Sequence, residues 1–386
     1  METSLEYQKI KEIDDFLFEA YRKINIYKYL TPKNLIEENN KFLEKFKSGI
    51  EYNPIYEYEK NIDYKKSEEV LNKIFELRKE IDELKIVSEL GILVKRELKM
   101  LQDLEYIIMI YNNIGKNDKT IDLYSKKIYG EPNNELVKKA MAILEKDYKI
   151  EEECKYDAKE CKELFKNVLK EMKLINWNIK INEVQSSKIS VIPEEKEIHI
   201  NGKVLFSKND LKRLIVHEIG THVSRAENGS KQPYKIFSIE CANVLYSEEG
   251  LATVNEEKYN VLDRRTFRLY AGRVLAVSEC MKKSFYESFK ELIEYFSYEE
   301  ALSIISRVKR GTMITEKPTL FVKDYIYLNG YYKVKKFLEK NDVKLLYTGI
   351  VGIDEADEIN MLIEKKIIKE MEIPNLQEIL KNIKVE

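Results

Sequence analysis

Two of the three histidines in this 386-residue chain bound one hexamer, HEIGTH, within the stretch LKRLIVHEIGTHVSRAENG. His217 and His222 enclose Glu218, so two imidazoles and a carboxylate come together in sequence. Neutral imidazole and carboxylate suit Zn²⁺, which in catalytic sites has three protein ligands and one open position. The hexamer therefore predicts part of a metal site, with Glu218 close enough to reach a metal-bound water.

The spacing of these histidines is one residue longer than in the HExxH motif of zinc proteases. With about 3.6 residues per turn, an ideal helix rotates positions five apart by about 140°, so a shared metal requires a change in the backbone. A local π-type widening aligns residue i with i+5 and is frequent at functional sites. Gly220 makes such a distortion easier, and Glu218 shares a helix face with His222.

A third ligand is expected from the stretch SEEGLA, residues 247–252, which begins another predicted helix. Glu249 is the first choice and Glu248 is the competing one. Gly250 and Ala252 are small enough to let this helix approach the first one closely, which would bring Glu249 to the metal. Taken alone, EEGLA is also typical of an ordinary helix start.

Helices are predicted over residues 1–175, where apolar residues recur at helical spacing. Two apolar stripes, at 70–84 and 98–111, predict an antiparallel helical hairpin. Packing inside the chain is favoured over a coiled-coil site for a partner. Asn133 or Asn134 is expected to cap a later helix.

A small sheet is predicted where the pattern changes at Trp177. WNIKINEV largely alternates apolar and polar residues, as a half-exposed strand does, and KISVIPEEKEIHING predicts a hairpin with Pro193–Lys196 at its turn. Ser207–Asp210 form a capping-box-like start for the helix that carries HEIGTH. After residue 247 the pattern is again mainly helical.

Together these elements predict an α+β fold that is mostly helical. Its N-terminal helical region spans residues 1–175. The second part, residues 176–386, contains the small sheet, the HEIGTH helix, the EEGLA helix and the C-terminal helices. The two parts are expected to form one continuous unit.

Composition limits the classes of partner and compartment. With 66 basic and 68 acidic residues, the net charge of -2 gives no case for nucleic acid or an acidic membrane as partner. The four cysteines show no CxxC spacing, which indicates reduced thiols. The charged start METSLEYQKIKEIDDF lacks a signal-peptide core, and no apolar run approaches transmembrane length. We therefore expect a soluble, cytoplasmic protein.

The motifs HEIGTH and EEGLA together resemble the tyrosine carboxypeptidase family, whose hallmark is the HExxxH spacing. Its animal member is the microtubule-associated tubulin tyrosine carboxypeptidase, and its bacterial members are named for a QEGLA motif and flavohemoglobin expression. The resemblance covers most of residues 25–370 and also includes NG and QP between the two motifs, IYGEPNNELVKKAMAIL, RVKRG and FVKDYIYLNG. Glu248 stands where bacterial relatives often have Gln, and we expect it to affect local charge more than chemistry.

The resemblance implies a gluzincin-like zinc metallopeptidase core in residues 176–386, a class whose third ligand is a glutamate. By motif match, His217, His222 and Glu249 would bind Zn²⁺, and Glu218 would be the catalytic carboxylate. The implied reaction removes a C-terminal residue, of the tyrosine or glutamate type, from a peptide or protein tail.

Two other functions stay open at this stage. One is a zinc endopeptidase or aminopeptidase, and the other is a metal-binding regulatory protein that does not catalyse. The intact Glu218 argues against the second, because a structural zinc site needs no base and usually has four protein ligands.

A carboxypeptidase has to bind a free carboxylate, which Arg does with two hydrogen bonds and Lys as a point charge. Arg307, Arg310 and Lys323 are the candidates, because they lie in segments that match the family. Tyr327 and Arg307 are candidates to stabilise the oxyanion. Gln232, with the proline after it, is expected to shape the loop between the ligand helices and is a further substrate-binding candidate.

The sheet is also expected to contribute to the site. The strand Lys196–Ile200 is predicted to present an edge to the substrate backbone. His199 on that strand is expected to be structural and not a fourth ligand.

Overall fold

Helices dominate the structure, with one three-stranded sheet between two helical stretches of the chain. The computed structural model describes residues 5–59, 62–84, 89–146, 153–183 and 187–382. Before the sheet come α1 (Leu5–Lys23), α2 (Tyr27–Leu30), α3 (Leu35–Lys47), α4 (Tyr64–Leu84), α5 (Gly91–Tyr111), α6 (Asp118–Tyr129), α7 (Asn134–Leu144) and α8 (Ala158–Glu171). The strands are β1 (Asn178–Asn182), β2 (Ile189–Ile192) and β3 (Glu197–Asn201).

After the sheet, the chain returns to helices. They are α9 (Lys208–Leu214), a π-helix (Ile215–Val223), α10 (Ser224–Ser230), α11 (Leu245–Lys258), α12 (Arg264–Cys280), α13 (Phe285–Leu292), α14 (Tyr298–Val308), α15 (Ile326–Phe337), α16 (Ala356–Glu364) and α17 (Leu376–Asn382). Short 3₁₀ turns join several of them, at Pro193–Glu195, Lys235–Ser238, Ala242–Val244, Val322–Tyr325, Val343–Tyr347 and Ile353–Glu355.

The first apolar stripe predicted from the sequence faces the interior of the chain. Val70, Ile74, Leu77 and Ile81 of α4 are buried, and α4 packs against α5. The stripe is thus covered by this chain itself, in agreement with the internal hairpin. The predicted cap is also present, since the side chain of Asn133 accepts a hydrogen bond from a backbone N–H in the first turn of α7.

β3 is the central strand of the sheet, in the order β1-β3-β2. β2 and β3 form the predicted antiparallel hairpin, and β1 pairs with β3 in parallel. The expectation that Lys196–Ile200 presents an edge is therefore wrong, because β1 and β2 cover both sides of β3. The outer edge nearest the HEIGTH helix belongs to β2, which packs against the π-helix. Val184, the last residue of the predicted first strand, lies outside the described residues.

The HEIGTH hexamer lies in one long helical segment formed by α9, the π-helix and α10. The predicted capping box is confirmed at its start. The Ser207 hydroxyl accepts from the Asp210 N–H, and the Asp210 carboxylate accepts from the Ser207 N–H. All residues of the π-helix are buried, so its position is fixed by packing on every side.

α11 carries EEGLA and crosses α15 at close range. A β-carbon added to Gly250 would lie 2.4 Å from the carbonyl carbon of Gly330 in α15, which is too close for any residue larger than glycine. From the sequence, Gly250 was expected to let α11 approach the HEIGTH helix closely, but in the structure Gly250 contacts α15. α11 also packs on the π-helix, which is how the glutamates of EEGLA reach the histidines.

Two further features concern the cysteines and the length of the helices. The four cysteines, Cys154, Cys161, Cys241 and Cys280, are unpaired. Among the described helices, none is both long enough and apolar enough to cross a membrane.

Candidate metal centre

The π-helix brings the two histidines of HEIGTH onto one face. Its widened hydrogen bonding is visible in the side chains, since the hydroxyls of Thr221 and Ser224 each donate to the carbonyl five residues earlier, at 3.0 and 2.8 Å. The hydroxyl of Tyr347 donates to the Gly220 carbonyl at 2.9 Å, which satisfies a backbone group in the middle of the hexamer. The predicted π-type widening is confirmed, and the imidazole rings of His217 and His222 lie 4.9 Å apart between centroids.

Glu249 of α11 faces both imidazoles. Its Oε2 lies 3.4 Å from Nε2 of His217 and 3.7 Å from Nε2 of His222. This oxygen is buried and makes no hydrogen bond of normal geometry. Tetrahedral zinc with bonds of about 2.0–2.1 Å separates its ligand atoms by about 3.4 Å, which is close to the two distances from Glu249 Oε2.

Glu218 is a second carboxylate at the same place. Ligand-capable atoms of His217, Glu218 and His222 lie within 4.8 Å of one another, so this trio also has metal-site geometry. Glu249 is also a third-ligand candidate, because its Oε2 faces both Nε2 atoms and has no hydrogen-bond partner. Glu218 also lines the open cleft.

Each histidine is held from behind by a further carboxylate. Nδ1 of His217 donates to Glu256 Oε1 at 2.7 Å, and Glu256 in turn pairs with Arg213 at 2.8 Å. Such a bond fixes the orientation of the ring and directs Nε2 toward Glu249. Glu256 lies outside the two motifs and was not predicted as a site residue. The available signal was its place seven residues after Glu249, two turns along the same face of α11.

Glu248 has the corresponding role for His222. Nδ1 of His222 donates to Glu248 Oε1 at 3.1 Å, and the fully buried guanidinium of Arg225 bonds the other carboxylate oxygen. Arg225 also donates to the Leu346 and Val351 carbonyls. The expectation that Glu248 affects local charge more than chemistry therefore needs correction, because Glu248 orients a ligand candidate.

The carboxylates around the histidines favour positive charge at the centre. Burial alone would lower the pKa of His217, but the adjacent carboxylates of Glu249 and Glu256 raise this pKa to about 10. Burial alone would raise the pKa of Glu249, but the two histidines lower it to about 2. A cage of two imidazoles and an unpartnered carboxylate oxygen, built to stabilise cationic charge, fits a divalent zinc ion.

A cleft of about 840 Å³ opens beside His217 and Glu218. Tyr327 lines it and stacks on Tyr270, with ring centroids 5.1 Å apart. Burial raises the pKa of Tyr327, so its hydroxyl stays protonated and can donate a hydrogen bond. The cleft is large enough for the side chain and the terminus of a peptide.

The three basic residues predicted to bind the substrate carboxylate each have a partner within the protein. Arg307 lines the cleft and pairs with Asp324, and Arg310 pairs with the same carboxylate without lining the cleft. Lys323 is buried and donates to the Tyr27 hydroxyl at 3.0 Å. None of these three is therefore a free cation that faces the cleft.

Gln232 and His199 have structural contacts. The buried Gln232 amide donates to the carbonyls of Thr348 and Lys369 and accepts from the Lys369 N–H. It ties the loop between the ligand helices to the C-terminal segment, as expected for the loop, and it does not line the described cleft. His199 bonds Asn182 and Glu197 within the sheet, as expected for a structural histidine.

Known proteins are similar to this chain in sequence. The family model described as "Microtubule-associated tyrosine carboxypeptidase" matches residues 41–384. Microtubule-associated tyrosine carboxypeptidase 1 of Mus musculus is 30% identical over 159 residues, which are 39% of this chain and 33% of that protein. Putative tyrosine carboxypeptidase MATCAP2 of Homo sapiens is 28% identical over 173 residues, 43% of this chain and 32% of that protein. The chain thus spans about a third of the length of these relatives.

Proposed function

Because this chain belongs to the microtubule-associated tyrosine carboxypeptidase family, we propose that it is a zinc-dependent carboxypeptidase. It removes one C-terminal residue, of the tyrosine or glutamate type, from a peptide or protein tail. The related mammalian proteins bear the name of that activity. The core is gluzincin-like in this proposal, since two histidines on one helix are joined by a glutamate from the next.

One observation carries the proposal: the buried Oε2 of Glu249 has no hydrogen-bond partner and faces both Nε2 atoms, beside a cleft that Glu218 also lines. His217, His222 and Glu249 would hold the ion. A purely structural site would have a fourth protein ligand and no need of a base. The arrangement therefore favours hydrolysis over a non-catalytic regulatory role.

The protein groups divide the chemistry between them. His217, His222 and Glu249 would hold the Zn²⁺, which when bound would supply a Lewis acid for the scissile carbonyl and the attacking water. Glu218 takes a proton from that water and passes it to the leaving amine, a role typically worth ~10²–10⁴ in rate. The neutral hydroxyl of Tyr327 donates a hydrogen bond to the carbonyl oxygen as negative charge develops there.

The test of this function uses Glu218→Gln, which keeps the shape of the side chain and removes the base. The variant is expected to bind zinc as the unaltered protein does, measured by mass spectrometry of the metal content, and to lose nearly all hydrolysis. Glu249→Ala is expected to lose the zinc itself. Near-normal turnover by Glu218→Gln would rule out its role as base, and zinc retained by Glu249→Ala but lost by Glu248→Ala would move the third ligand to Glu248.

The direction of cleavage is tested with matched peptides that end in a free carboxylate or an amide. A carboxypeptidase should release one residue from the free acid and leave the amide intact, as read from product masses. Equal cleavage of both peptides, or cuts at internal bonds, would favour the endopeptidase alternative. Release from the N-terminus would favour an aminopeptidase.

A further inference from the structure

Arg273 of α12 is a half-buried cation that lines the cleft. Its guanidinium carbon lies 4.5 Å from the ring centroid of Tyr327 and 5.4 Å from that of Tyr270. In the described part of the chain, no carboxylate oxygen lies within salt-bridge distance of Arg273. Stacking uses the flat face of a guanidinium and leaves N–H groups at its edge for a ligand.

The surroundings of Arg273 hold more positive than negative charge. Asp324 Oδ1 accepts from Arg307 at 3.2 Å and from Arg310 at 3.1 Å. Arg273 also lies close enough to Asp324 to contribute to the low pKa of that carboxylate, which burial alone would raise and which Arg307 and Arg310 lower most. Asp324 thus pairs with two guanidinium groups and lies in the field of a third, and although Glu249 also acts on Arg307, positive charge exceeds negative charge at this end of the cleft.

Lys323 is the other cation near the metal position, but its surroundings are acidic. Its charge acts on Glu240 and on Glu249, and its amine already donates to the Tyr27 hydroxyl. A substrate carboxylate placed there would meet two other carboxylates. The charge distribution therefore directs a substrate anion to the arginine side of the cleft.

We infer that Arg273 binds the free α-carboxylate of the last substrate residue. The inference rests on the proposed function and names the residue that makes the enzyme act at a C-terminus. Arg273 presents a planar pair of donors, which matches a carboxylate bidentately, and Tyr327 holds that plane in a fixed orientation. With the terminus held in the same cleft as His217 and Glu218, the last peptide bond is the one within reach of the base.

The first experiment measures binding without turnover. In zinc-loaded Glu218→Gln protein, a peptide labelled at its N-terminus and ending in tyrosine is titrated as the free acid and as the amide, with fluorescence anisotropy as readout. The free acid is expected to bind on the order of 100-fold more tightly. Arg273→Ala should abolish this difference, and Arg273→Lys should keep only part of it, because lysine lacks the two-donor fork.

Arg264 provides the matched control on the same helix. It is an exposed arginine at the rim of the cleft, so Arg264→Ala removes an equal charge and should change the affinities for both peptides by the same small factor. Zinc content and circular dichroism establish that each variant is folded. A purely structural role of Arg273 beneath Tyr327 would weaken the two peptides equally, and that result would overturn the inference.

The second experiment separates this inference from the function on which it rests. In the active protein, Arg273→Ala should lower kcat/KM for the free acid about 100-fold. If the variant still prefers the free acid as strongly as the unaltered protein does, Arg273 is not the anchor, while the carboxypeptidase function stands. If the unaltered protein shows no preference for the free acid, the carboxypeptidase proposal itself fails, and the role of Arg273 fails with it.

Discussion

His217 and His222 each donate through Nδ1 to a glutamate that is itself paired with a buried arginine. The result is two parallel chains of the form arginine, glutamate, histidine that converge on the face of Glu249. In each chain the arginine compensates the charge of the glutamate, and the glutamate fixes the tautomer of the imidazole. The orientation of both imidazoles therefore depends on residues outside the proposed ligand set.

Glu256→Gln tests this dependence at a single residue. Gln keeps the shape but is a weaker acceptor for Nδ1 of His217, so zinc affinity is expected to fall about 10- to 100-fold. The measurement is zinc competition against a chelator of known affinity. Glu257→Gln is the matched control, because Glu257 is the next residue of α11, points outward and pairs with Lys335. Equal zinc affinity in the two variants would mean that Glu256 does not support the ligand.

Asp324→Asn is expected to destabilise the fold by about 3–5 kcal/mol at neutral pH, because it leaves the paired guanidinium groups of Arg307 and Arg310 without a counter-charge. The folded-state pKa of Asp324 is depressed, so its stabilising contribution is present above the unfolded pKa of about 4 and is lost as pH falls below that. Urea unfolding at several pH values measures this. The difference in unfolding free energy between the unaltered protein and Asp324→Asn should narrow below pH ~4. Glu135→Gln is the control, because Glu135 forms an exposed ion pair with Lys139, and it should cause no comparable loss of stability.

At the scale of the elements, the metal centre depends on how closely α11 crosses α15. Gly250→Ala would press a methyl group against the backbone of Gly330, which cannot move aside as a side chain can. We expect a loss of about 1–3 kcal/mol from overpacking, and weaker zinc binding because Glu249 is the adjacent residue. Gly272→Ala in α12 is the control, since its methyl group would meet the ring of Phe296 and the end of Ile304. Both variants are measured by denaturant unfolding and zinc titration, and only Gly250→Ala is expected to bind zinc more weakly. Full zinc affinity in Gly250→Ala would mean that the contact between α11 and α15 does not position Glu249.

Local features of the site could be predicted from the sequence, because their causes lie within a few residues. The five-residue spacing of His217 and His222 required a widened helix, and the capping box at Ser207 and Asp210 marked where that helix begins. Glu249 was ranked above Glu248 as third ligand from its place beside Gly250 and from the family motif, and this ranking stays a prediction.

Features that depend on distant contacts could not be predicted in the same way. β3 has no free edge because β1, which comes before the hairpin, pairs with it, and nothing in the strand itself indicates that partner. The partner of Gly250 lies 80 residues later in the chain, at Gly330. Arg273 belongs to no motif, and its significance comes from the pairing of Arg307 and Arg310 with Asp324.

At the scale of the whole molecule, buried polar bonds connect the N-terminal helices to the elements that carry the metal centre. Asp14 of α1 accepts from the backbone N–H groups of Lys235 and Ile236, in the segment between the two ligand helices. Asp118 accepts in the same way from Met313 and Ile314. Such bonds are lost together when either side unfolds, so the two parts should behave as one cooperative unit.

Arg96 of α5 gives the sharpest test of that unity. Its buried guanidinium pairs with Glu355 and donates to the carbonyls of Ile236 and Ile350. Arg96→Met would leave these acceptors unpaired in the interior, at an expected cost of about 3–5 kcal/mol. The substitution lies in the N-terminal region. We nevertheless expect it to lower the temperature at which zinc is released by as much as the temperature at which the helices unfold.

The two temperatures are followed in one melting experiment, with circular dichroism for the helices and a zinc-sensitive dye for the centre. Lys95→Met removes the neighbouring exposed cation, which pairs with Glu358 at the surface, and should shift neither transition appreciably. Coincident transitions that move together in Arg96→Met would show one folding unit across residue 175. Helix loss that comes first, with zinc still bound, would show that the region after residue 175 is a separate domain and that the N-terminal helices only cover it.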